Sequence, residues 1–362
     1  PFCHRICPYC AFFKHTPAST DMKLFIRALG REAESRAAAL SMSRGGETAT
    51  LYFGGGTPSM LSDTHLGRLM ETLDRLVPVD KLDEFSFEAN PATFTEKKVR
   101  FWRSLGMTRV SLGVQSLDSG ILHLLGREHT PAQALHSVEM LKNAGMAHIN
   151  MDLMFAIPGQ TLSIWEATLK EAVRAGTDHI SAYNLTYEED TEFFRSLLRG
   201  EKRQDPDEDA AYFELAEHML EAAGMQHYET SNYAREGCLS PHNMAYWKGE
   251  DYVGIGPGAV STINGIRYSN TRDTDAYIRS TLENGLPLSE QEPVTEEDYR
   301  LERIALMLRT DEGLPLKYIL PESRPLLGQY RELGLADISP EQRLILKGRG
   351  RLLVDAIAAE LC

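Results

Sequence analysis

Residues 148–185, HINMDLMFAIPGQTLSIWEATLKEAVRAGTDHISAYNL, decide the fold of this chain. The apolar run at 148–155 predicts a buried strand, and residues 162–175 have the spacing of an amphipathic helix. A second strand-like run follows at 179–185. Two strands joined by a helix predict a parallel pair with a crossover connection.

The same alternation extends toward the N-terminus. Strands are predicted at 48–53, 84–88 and 109–114, and helices are predicted to begin after Ser62, Thr95 and Thr130. Five β/α units predict an α/β fold with a parallel sheet, and a sixth strand is expected just before Pro1. The segment after that strand would lie at the carboxyl ends of the strands, where barrel active sites collect.

The pattern changes after about residue 200. A charged connection at 201–209 overlaps a helix at 206–224, and residues 226–233 are predicted as another strand. Residues 234–270 are rich in Gly, Asn, Tyr and Pro and have no clear period, and residues 293–362 mix short helices and turns. We therefore predict a domain at 1–200, an α+β extension at 201–290 and a small, mainly helical C-terminal domain at 291–362.

Composition limits the classes of function. The chain has 362 residues and a formal net charge of −14, which argues against general nucleic-acid binding. We find no signal peptide and no apolar run long enough to span a bilayer. Because the first residue is Pro1 rather than Met, we expect the natural N-terminus to be missing. The acidic, cysteine-poor composition is typical of a cytoplasmic protein.

Three of the five cysteines stand together as Cys3, Cys7 and Cys10. Thiolates hold iron–sulfur clusters, and a [4Fe–4S] cube held by three of them keeps one iron open to a small molecule. A zinc site completed by His4 or His15 is an alternative, as is a disulfide. The spacing favours a cluster, because zinc sites usually pair CxxC with a second such motif.

Several polar residues follow the predicted strands. Gly54-Gly55-Gly56-Thr57 would let the backbone approach a ligand closely. Glu88 and Gln115 fall at strand ends, and Asp152 lies inside an otherwise apolar strand, where an ionisable group is costly unless it is paired or used. Arg127 could supply a cation to the same barrel mouth, although a lone Arg is more often part of a surface ion pair.

His242, in Ser240-Pro241-His242-Asn243-Met244-Ala245-Tyr246-Trp247, lies in the irregular region. A neutral imidazole can ligate a metal or heme iron. Tyr246 and Trp247 could line a flat apolar pocket, and the glycines of 254–258 form a second loop suited to close backbone approach. The alternative is a packed loop with a hydrogen-bonded histidine.

Taken together, these motifs resemble the radical S-adenosylmethionine (SAM) superfamily: CxxxCxxC, then GGGTP, a glutamate at a strand end, GVQS and a strand from Asp152 to Pro158-Gly159. More narrowly, the chain is similar to the oxygen-independent coproporphyrinogen III oxidase group. The oxidases carry a fourth cysteine where this chain has Phe12, and HNxxYW from His242 to Trp247 is typical of the HemW heme chaperones. The resemblance implies a partial (β/α)6 TIM-like radical SAM barrel.

The resemblance also implies residue roles. Cys3, Cys7 and Cys10 would hold a [4Fe–4S] cluster, and His242 would be the heme ligand or sensor. The positions that match SAM contacts are Tyr9, Gly55, Gly56, Thr57, Glu88, Gln115, Arg127 and Asp152.

The function so implied is heme delivery to respiratory or other hemoproteins, with peripheral membrane contact made through a protein partner because the chain is acidic. The resemblance is compatible with a homodimer, and it leaves open whether SAM is cleaved. The alternative is a radical SAM enzyme that acts on a tetrapyrrole, such as a coproporphyrinogen III dehydrogenase.

Overall fold

The computed structural model describes residues 1–17, 20–37, 49–200 and 206–362. Within these ranges the central element is a seven-stranded sheet of order β1-β2-β3-β4-β5-β7-β6. Strands β1 to β5 are parallel, and β6 and β7 form an antiparallel hairpin on the β5 edge. The strands are β1 Thr50–Phe53, β2 Glu84–Ala89, β3 Arg109–Gln115, β4 His148–Phe155, β5 His179–Asn184, β6 Gln226–Glu229 and β7 Asn232–Ala234.

Helices connect the parallel strands, as the alternation predicts. The predicted N-caps are confirmed, since the side chains of Ser62, Thr95 and Thr130 each accept a hydrogen bond from the first turn. Residue 48 of the first predicted strand lies outside the described residues. The helices are α1 Met22–Ser35, α2 Asp63–Leu76, α3 Glu96–Ser104, α4 Ser119–Leu124, α5 Pro131–Asn143, α6 Leu162–Ala175, α7 Glu192–Leu198 and α8 Pro206–Ala222.

The parallel strands have one apolar and one polar face, because side chains alternate along a strand. On the helix side, Phe87 packs on Trp102 at 4.8 Å between ring centroids, and Phe155 packs on Trp165 at 5.7 Å. The opposite, concave face is polar. Its side chains come from alternate positions: Thr50, Tyr52, Glu84, Ser86, Glu88, Arg109, Ser111, Gln115, His148, Asn150, Asp152, His179, Ser181 and Tyr183.

A buried ion pair holds the amino end of this concave face. Arg109 Nε lies 2.5 Å from Glu84 Oε2, with side-chain exposures of 5% and 2%. Arg109 Nη2 also donates to the carbonyls of Cys238 and Leu239, and the Ser240 hydroxyl donates to Glu84 Oε1. The pair therefore fixes the segment that leads into the next helix.

That helix, α9 Pro241–Lys248, lies in the region that the sequence leaves without a period. Ser240 caps it and Gly249 ends it in the left-handed conformation at φ 65°. An antiparallel sheet of β8 Val260–Ile263, β9 Ile266–Asn270 and β10 Ser289–Pro293 follows, and α10 Thr274–Asn284 lies between β9 and β10. The predicted strand at 226–233 is the β6–β7 hairpin.

The C-terminal segment has its own hydrophobic core, built from residues between Ile304 and Leu361. The predicted helices are present as α11 Glu296–Met307, α12 Arg324–Glu332, α13 Arg349–Leu352 and α14 Val354–Leu361. The structure adds a three-stranded antiparallel sheet of β11 Leu314–Pro315, β12 Ala336–Ile338 and β13 Arg343–Leu346. Among the described residues, no helix has the length and apolar character needed to cross a membrane.

Glu32 joins the first helix to the second half of the chain. Its side chain is fully buried and accepts hydrogen bonds from the Tyr277 hydroxyl at 2.7 Å and from Asn270 Nδ2 and Gly256 N at 2.9 Å. Arg36 Nε, also at 2.9 Å, balances its charge. A buried carboxylate is tolerated only with such partners, so this contact ties α1 to β9 and α10.

We expect Glu84→Ala to lower the free energy of unfolding by about 3 kcal/mol, because it leaves the buried Arg109 guanidinium without its carboxylate. Chemical denaturation measures this. Glu166→Ala is the matched control: it removes an exposed i,i+4 pair with Lys170 and should cost less than about 0.5 kcal/mol. Equal losses in the two variants would contradict the assigned role of the buried pair.

Candidate functional site

The cysteine segment lies across the carboxyl ends of the parallel strands. Its two ends pair with each other, since Cys3 N donates to His15 O at 3.0 Å. Thr57 N, after β1, donates to Phe2 O at 2.8 Å, and Phe193 N, after β5, donates to Pro8 O at 3.1 Å. The segment is therefore anchored at both sides of the barrel mouth.

Two of the three thiols lie within reach of polar groups from the barrel. Cys3, Cys7 and Cys10 are half-buried and form no disulfide. The Thr57 hydroxyl lies 3.5 Å from Cys3 Sγ, and Arg127 Nη1 lies 3.8 Å from Cys7 Sγ. Burial raises the pKa of Cys10, and the charges of Cys7 and Cys3 raise it further. Three thiols in one eight-residue segment, two of them close to hydrogen-bond donors, form a donor set that suits an iron–sulfur cluster.

The two histidines near the thiols differ in their surroundings. Both His15 ring nitrogens are engaged, Nε2 with the Thr274 hydroxyl at 2.8 Å and Nδ1 with Thr16 O at 3.0 Å. His4 is exposed. The preference for a cluster over zinc therefore stays a prediction from the cysteine spacing.

Asn90 links the two cysteine contacts. Its Nδ2 donates to the Thr57 hydroxyl at 3.0 Å, and its Oδ1 accepts from Arg127 Nη2 at 2.6 Å. Arg127 Nη2 also donates to Gly113 O at 2.5 Å. A continuous polar chain thus runs from Cys3 through Thr57, Asn90 and Arg127 to Cys7.

The three glycines after β1 leave room for two different contacts. A Cβ on Gly56 would lie 2.6 Å from Phe2 O, so this glycine admits the backbone of the cysteine segment. Gly55 has φ 108°, and its N–H donates to Glu88 Oε2 at 3.1 Å. Nothing lies within 4 Å of the position of a Gly55 Cβ, which leaves this side open to a ligand.

Two carboxylates face the mouth from neighbouring parts of the concave face. Glu88 accepts a hydrogen bond from the Tyr52 hydroxyl at 2.5 Å, and Asp152 accepts from Ser111 at 2.8 Å and from Asn150 at 2.7 Å. Burial raises the pKa of Glu88 to about 7 and that of Asp152 to about 6, and the charge of Asp152 raises the Glu88 pKa further.

Gln115 and Tyr9 complete the predicted set. Gln115 ends β3 with φ 70°, and its amide lies beside Asn90 and Arg127 over Gly113. Tyr9 packs against Phe193 at 6.3 Å between ring centroids. Burial raises the pKa of Tyr9, the charge of Arg127 lowers it, and the charges of Cys7 and Cys10 raise it further. The structure thus brings the predicted cluster and SAM residues to one end of the barrel. Their roles toward these ligands stay predictions.

His242 reaches the same concave face from α9. Its ring stacks on Tyr52 at 4.6 Å between centroids and 9° between planes, and its Nδ1 lies 2.8 Å from the Thr50 hydroxyl. Tyr246 packs edge-on at 5.0 Å. Burial lowers the pKa of His242 to about 4, so the imidazole is neutral at physiological pH.

Two features that the sequence offers as pocket elements have packing roles. The Trp247 side chain packs against the cluster of Tyr228, Ala234 and Met244, whereas Tyr246 is the aromatic residue that faces His242. In the 254–258 loop, Gly256 N donates to Glu32, and a Gly258 Cβ would lie 3.1 Å from the Phe13 ring. That loop therefore joins α1 and the cysteine segment to β8 and β9.

Sequence reasoning missed Tyr52, Asn90 and the helix that carries His242. Side chains alternate along β1, TLYF, so Tyr52 lies on the same face of the strand as Thr50, and this alternation could have identified it. Asn90 directly follows a strand end and precedes Pro91. The serine, proline and glycine at 240, 241 and 249 are ordinary helix boundary signals for α9.

The raised pKa of Glu88 predicts a pH-dependent stability difference. In the folded apoprotein the stabilising contribution of protonated Glu88 is present below pH 4.5 and is lost as the pH rises through about 7. Glu88→Gln cannot ionise. We expect its stability relative to wild type to increase by about 2 kcal/mol between pH 4.5 and 8, as measured by denaturation at each pH. Parallel pH profiles would contradict the assignment.

Comparison with known proteins gives the family. The radical SAM superfamily model matches residues 1–172. The chain is 34% identical to the heme chaperone HemW of Bacillus subtilis, covering 88% of this chain and 83% of that protein. It is 35% identical to HemW of Mycobacterium tuberculosis, covering 100% and 93%.

A solved structure supports the fold. Coproporphyrinogen III oxidase (HemN) from Escherichia coli, a radical SAM enzyme, superposes with a TM-score of 0.83 and covers 100% of this chain and 88% of that one. Because the two share 23% identity, the likeness concerns the fold alone. With a radical SAM match over the cysteine segment and the first four parallel strands, and relatives of 34% and 35% identity that span nearly the whole chain, this chain belongs to the HemW family of the radical SAM superfamily.

Proposed function

We propose that the chain is a heme chaperone that binds a [4Fe–4S] cluster, SAM and heme and delivers heme to respiratory or other hemoproteins. The observation that carries this proposal is the position of His242, a neutral histidine that stacks on Tyr52, whose hydroxyl donates to Glu88 toward the carboxyl end of the same face. Phe12, 69% exposed, stands where the porphyrinogen oxidases have their fourth cysteine. The names of the HemW relatives point the same way.

In this proposal Cys3, Cys7 and Cys10 hold the cluster, which when bound would supply an iron open to the amino and carboxylate groups of SAM. Thr57 and Arg127 donate hydrogen bonds toward the sulfurs, and such bonds tune cluster potentials. The hydrogen-bond chain from Cys3 through Thr57, Asn90 and Arg127 to Cys7 would hold two of the three ligands at fixed positions relative to the barrel.

The remaining predicted residues would bind SAM. The carboxylate of Glu88 suits an ammonium group, and a cation bound there would favour the ionised form. Asp152 suits ribose hydroxyls, because a carboxylate accepts hydrogen bonds. The space beside Gly55 and the guanidinium of Arg127 suit a carboxylate. Tyr9 and Gln115 would border the ligand from the cysteine segment and from β3.

His242 would ligate heme iron through Nε2, because Nδ1 already pairs with the Thr50 hydroxyl. The low pKa keeps the ring neutral, as ligation requires, and the Thr50 contact fixes its orientation. Tyr246, 41% exposed, would offer an aromatic surface beside the porphyrin.

We also propose the division into 1–200, 201–290 and 291–362. The separate hydrophobic core between Ile304 and Leu361 supports the last boundary. The hemoprotein acceptor, a homodimer and a peripheral contact with the cytoplasmic face of the membrane remain part of the proposal. The net charge of −14 favours a protein partner over anionic lipid for that contact.

Cys7→Ser should lose the cluster after anaerobic reconstitution, with iron falling from about four to below about one per chain. Iron and sulfide analysis and the visible spectrum measure this. Cys362→Ser is the matched control, because this exposed thiol at the end of α14 should leave the iron content unchanged. Zinc in place of iron in the wild-type protein would contradict the assignment of an iron–sulfur cluster.

His242→Ala should weaken heme binding by about tenfold or more, since it removes a coordinate bond to the iron. A heme titration followed by absorbance measures the dissociation constant. His136→Ala, an exposed histidine on α5, controls for heme adsorbed by surface imidazoles. Equal affinities in the two variants would overturn the assignment of His242.

The competing enzymatic function has its own assay. The reconstituted protein is incubated anaerobically with coproporphyrinogen III, SAM and a reductant. A chaperone forms no decarboxylated product under these conditions. Product formed at a catalytic rate would replace the chaperone proposal with the dehydrogenase.

A further inference from the structure

Tyr52 touches both halves of the proposed site. One face of its ring stacks on His242, 4.6 Å away between centroids and 9° from parallel. Its hydroxyl donates to Glu88 Oε1 at 2.5 Å. One rigid side chain therefore joins the histidine proposed for heme to the carboxylate proposed for the ammonium of SAM.

The surroundings allow this side chain little independent movement. A Cβ on Gly54 would lie 2.4 Å from Tyr52 Cε1 and 2.7 Å from Glu88 Oε1, so the pair is packed directly over the backbone after β1. On the other side, His242 is fixed by Thr50, two residues before Tyr52 on the same strand face. A shift of the phenol ring consequently displaces the imidazole or breaks the stacking.

We propose that Tyr52 is a positioning residue that couples SAM binding to heme binding. The inference rests on the proposed function, and it adds a regulatory link between the two ligands. The ammonium of SAM would engage the carboxylate that accepts the Tyr52 hydroxyl, and binding there changes the geometry of that hydrogen bond. The ring then changes its position against His242, and the affinity for heme changes with it.

Such coupling is reciprocal, because binding free energies form a closed cycle. The factor by which SAM changes the dissociation constant of heme must equal the factor by which heme changes that of SAM. Allosteric couplings usually amount to about fivefold or more. The sequence carries no motif for this link, because it arises from the stacking of a helix residue on a strand residue 190 positions earlier.

The test compares wild type with Tyr52→Phe, which keeps the stacked ring and removes only the hydroxyl. Both proteins carry the reconstituted cluster in its oxidised state, without reductant, so that SAM remains intact. Heme is titrated with and without saturating SAM, and SAM is titrated with and without heme. Tyr183→Phe, the same change at a residue of the concave face of β5, is the matched control.

We expect the wild type and Tyr183→Phe to show a coupling factor of about fivefold or more in both titrations. In Tyr52→Phe the factor should fall close to one, while heme still binds in the absence of SAM. Circular dichroism verifies that this variant is folded. A merely structural role for Tyr52 would alter stability and leave the coupling factor unchanged.

Each other outcome overturns the inference in a distinguishable way. Full coupling in Tyr52→Phe, or loss of coupling in Tyr183→Phe as well, removes the assignment to Tyr52. A wild type that binds both ligands without coupling removes the inference and leaves the proposed function intact. A wild type that fails to bind heme or SAM removes the proposed function itself.

Discussion

The close approach of Gly56 to the backbone of Phe2 is the contact on which the site depends. A side chain at position 56 would overlap Phe2, and the hydrogen bond from Thr57 N to Phe2 O would be lost. This contact places the cysteine segment over the carboxyl end of β1, and Thr57 then reaches Cys3. The proposed cluster site depends on that placement, because the cysteine segment is not a strand of the central sheet.

The two ends of the concave face carry different polar groups. A polar interior is costly unless its groups are paired. At the amino end Glu84 pairs with Arg109, and His179 bonds Asn150 and the Tyr228 hydroxyl. At the carboxyl end Glu88 and Asp152 keep raised pKa values, and the side of Gly55 is open. The ion pair at the amino end supports the fold, and the open side of Gly55 makes the carboxyl end the one we propose for ligands.

Hydrophobic periodicity and capping residues predicted the elements of the parallel sheet well. β4 and α6 have the predicted bounds, and the caps at Ser62, Thr95 and Thr130 are in place. In the second half, α9 was missed because its eight residues are too short for apolar periodicity, and only its boundary residues mark it. The short strands β11 to β13 were missed because segments of two to four residues acquire their pairing from distant partners.

The amino-acid sequence by itself determined the parallel strands, the helices between them and the cysteine spacing, because these depend on periodicity and on residue type within short windows. It also indicated which polar residues stand at strand ends, and parallel strands bring such ends to one edge. Only the tertiary structure decided that Asn90 bridges two cysteine contacts, that Glu32 binds the second half of the chain, and that Tyr52 lies between Glu88 and His242. These contacts join residues far apart in the chain, and their geometry depends on how the whole sheet packs.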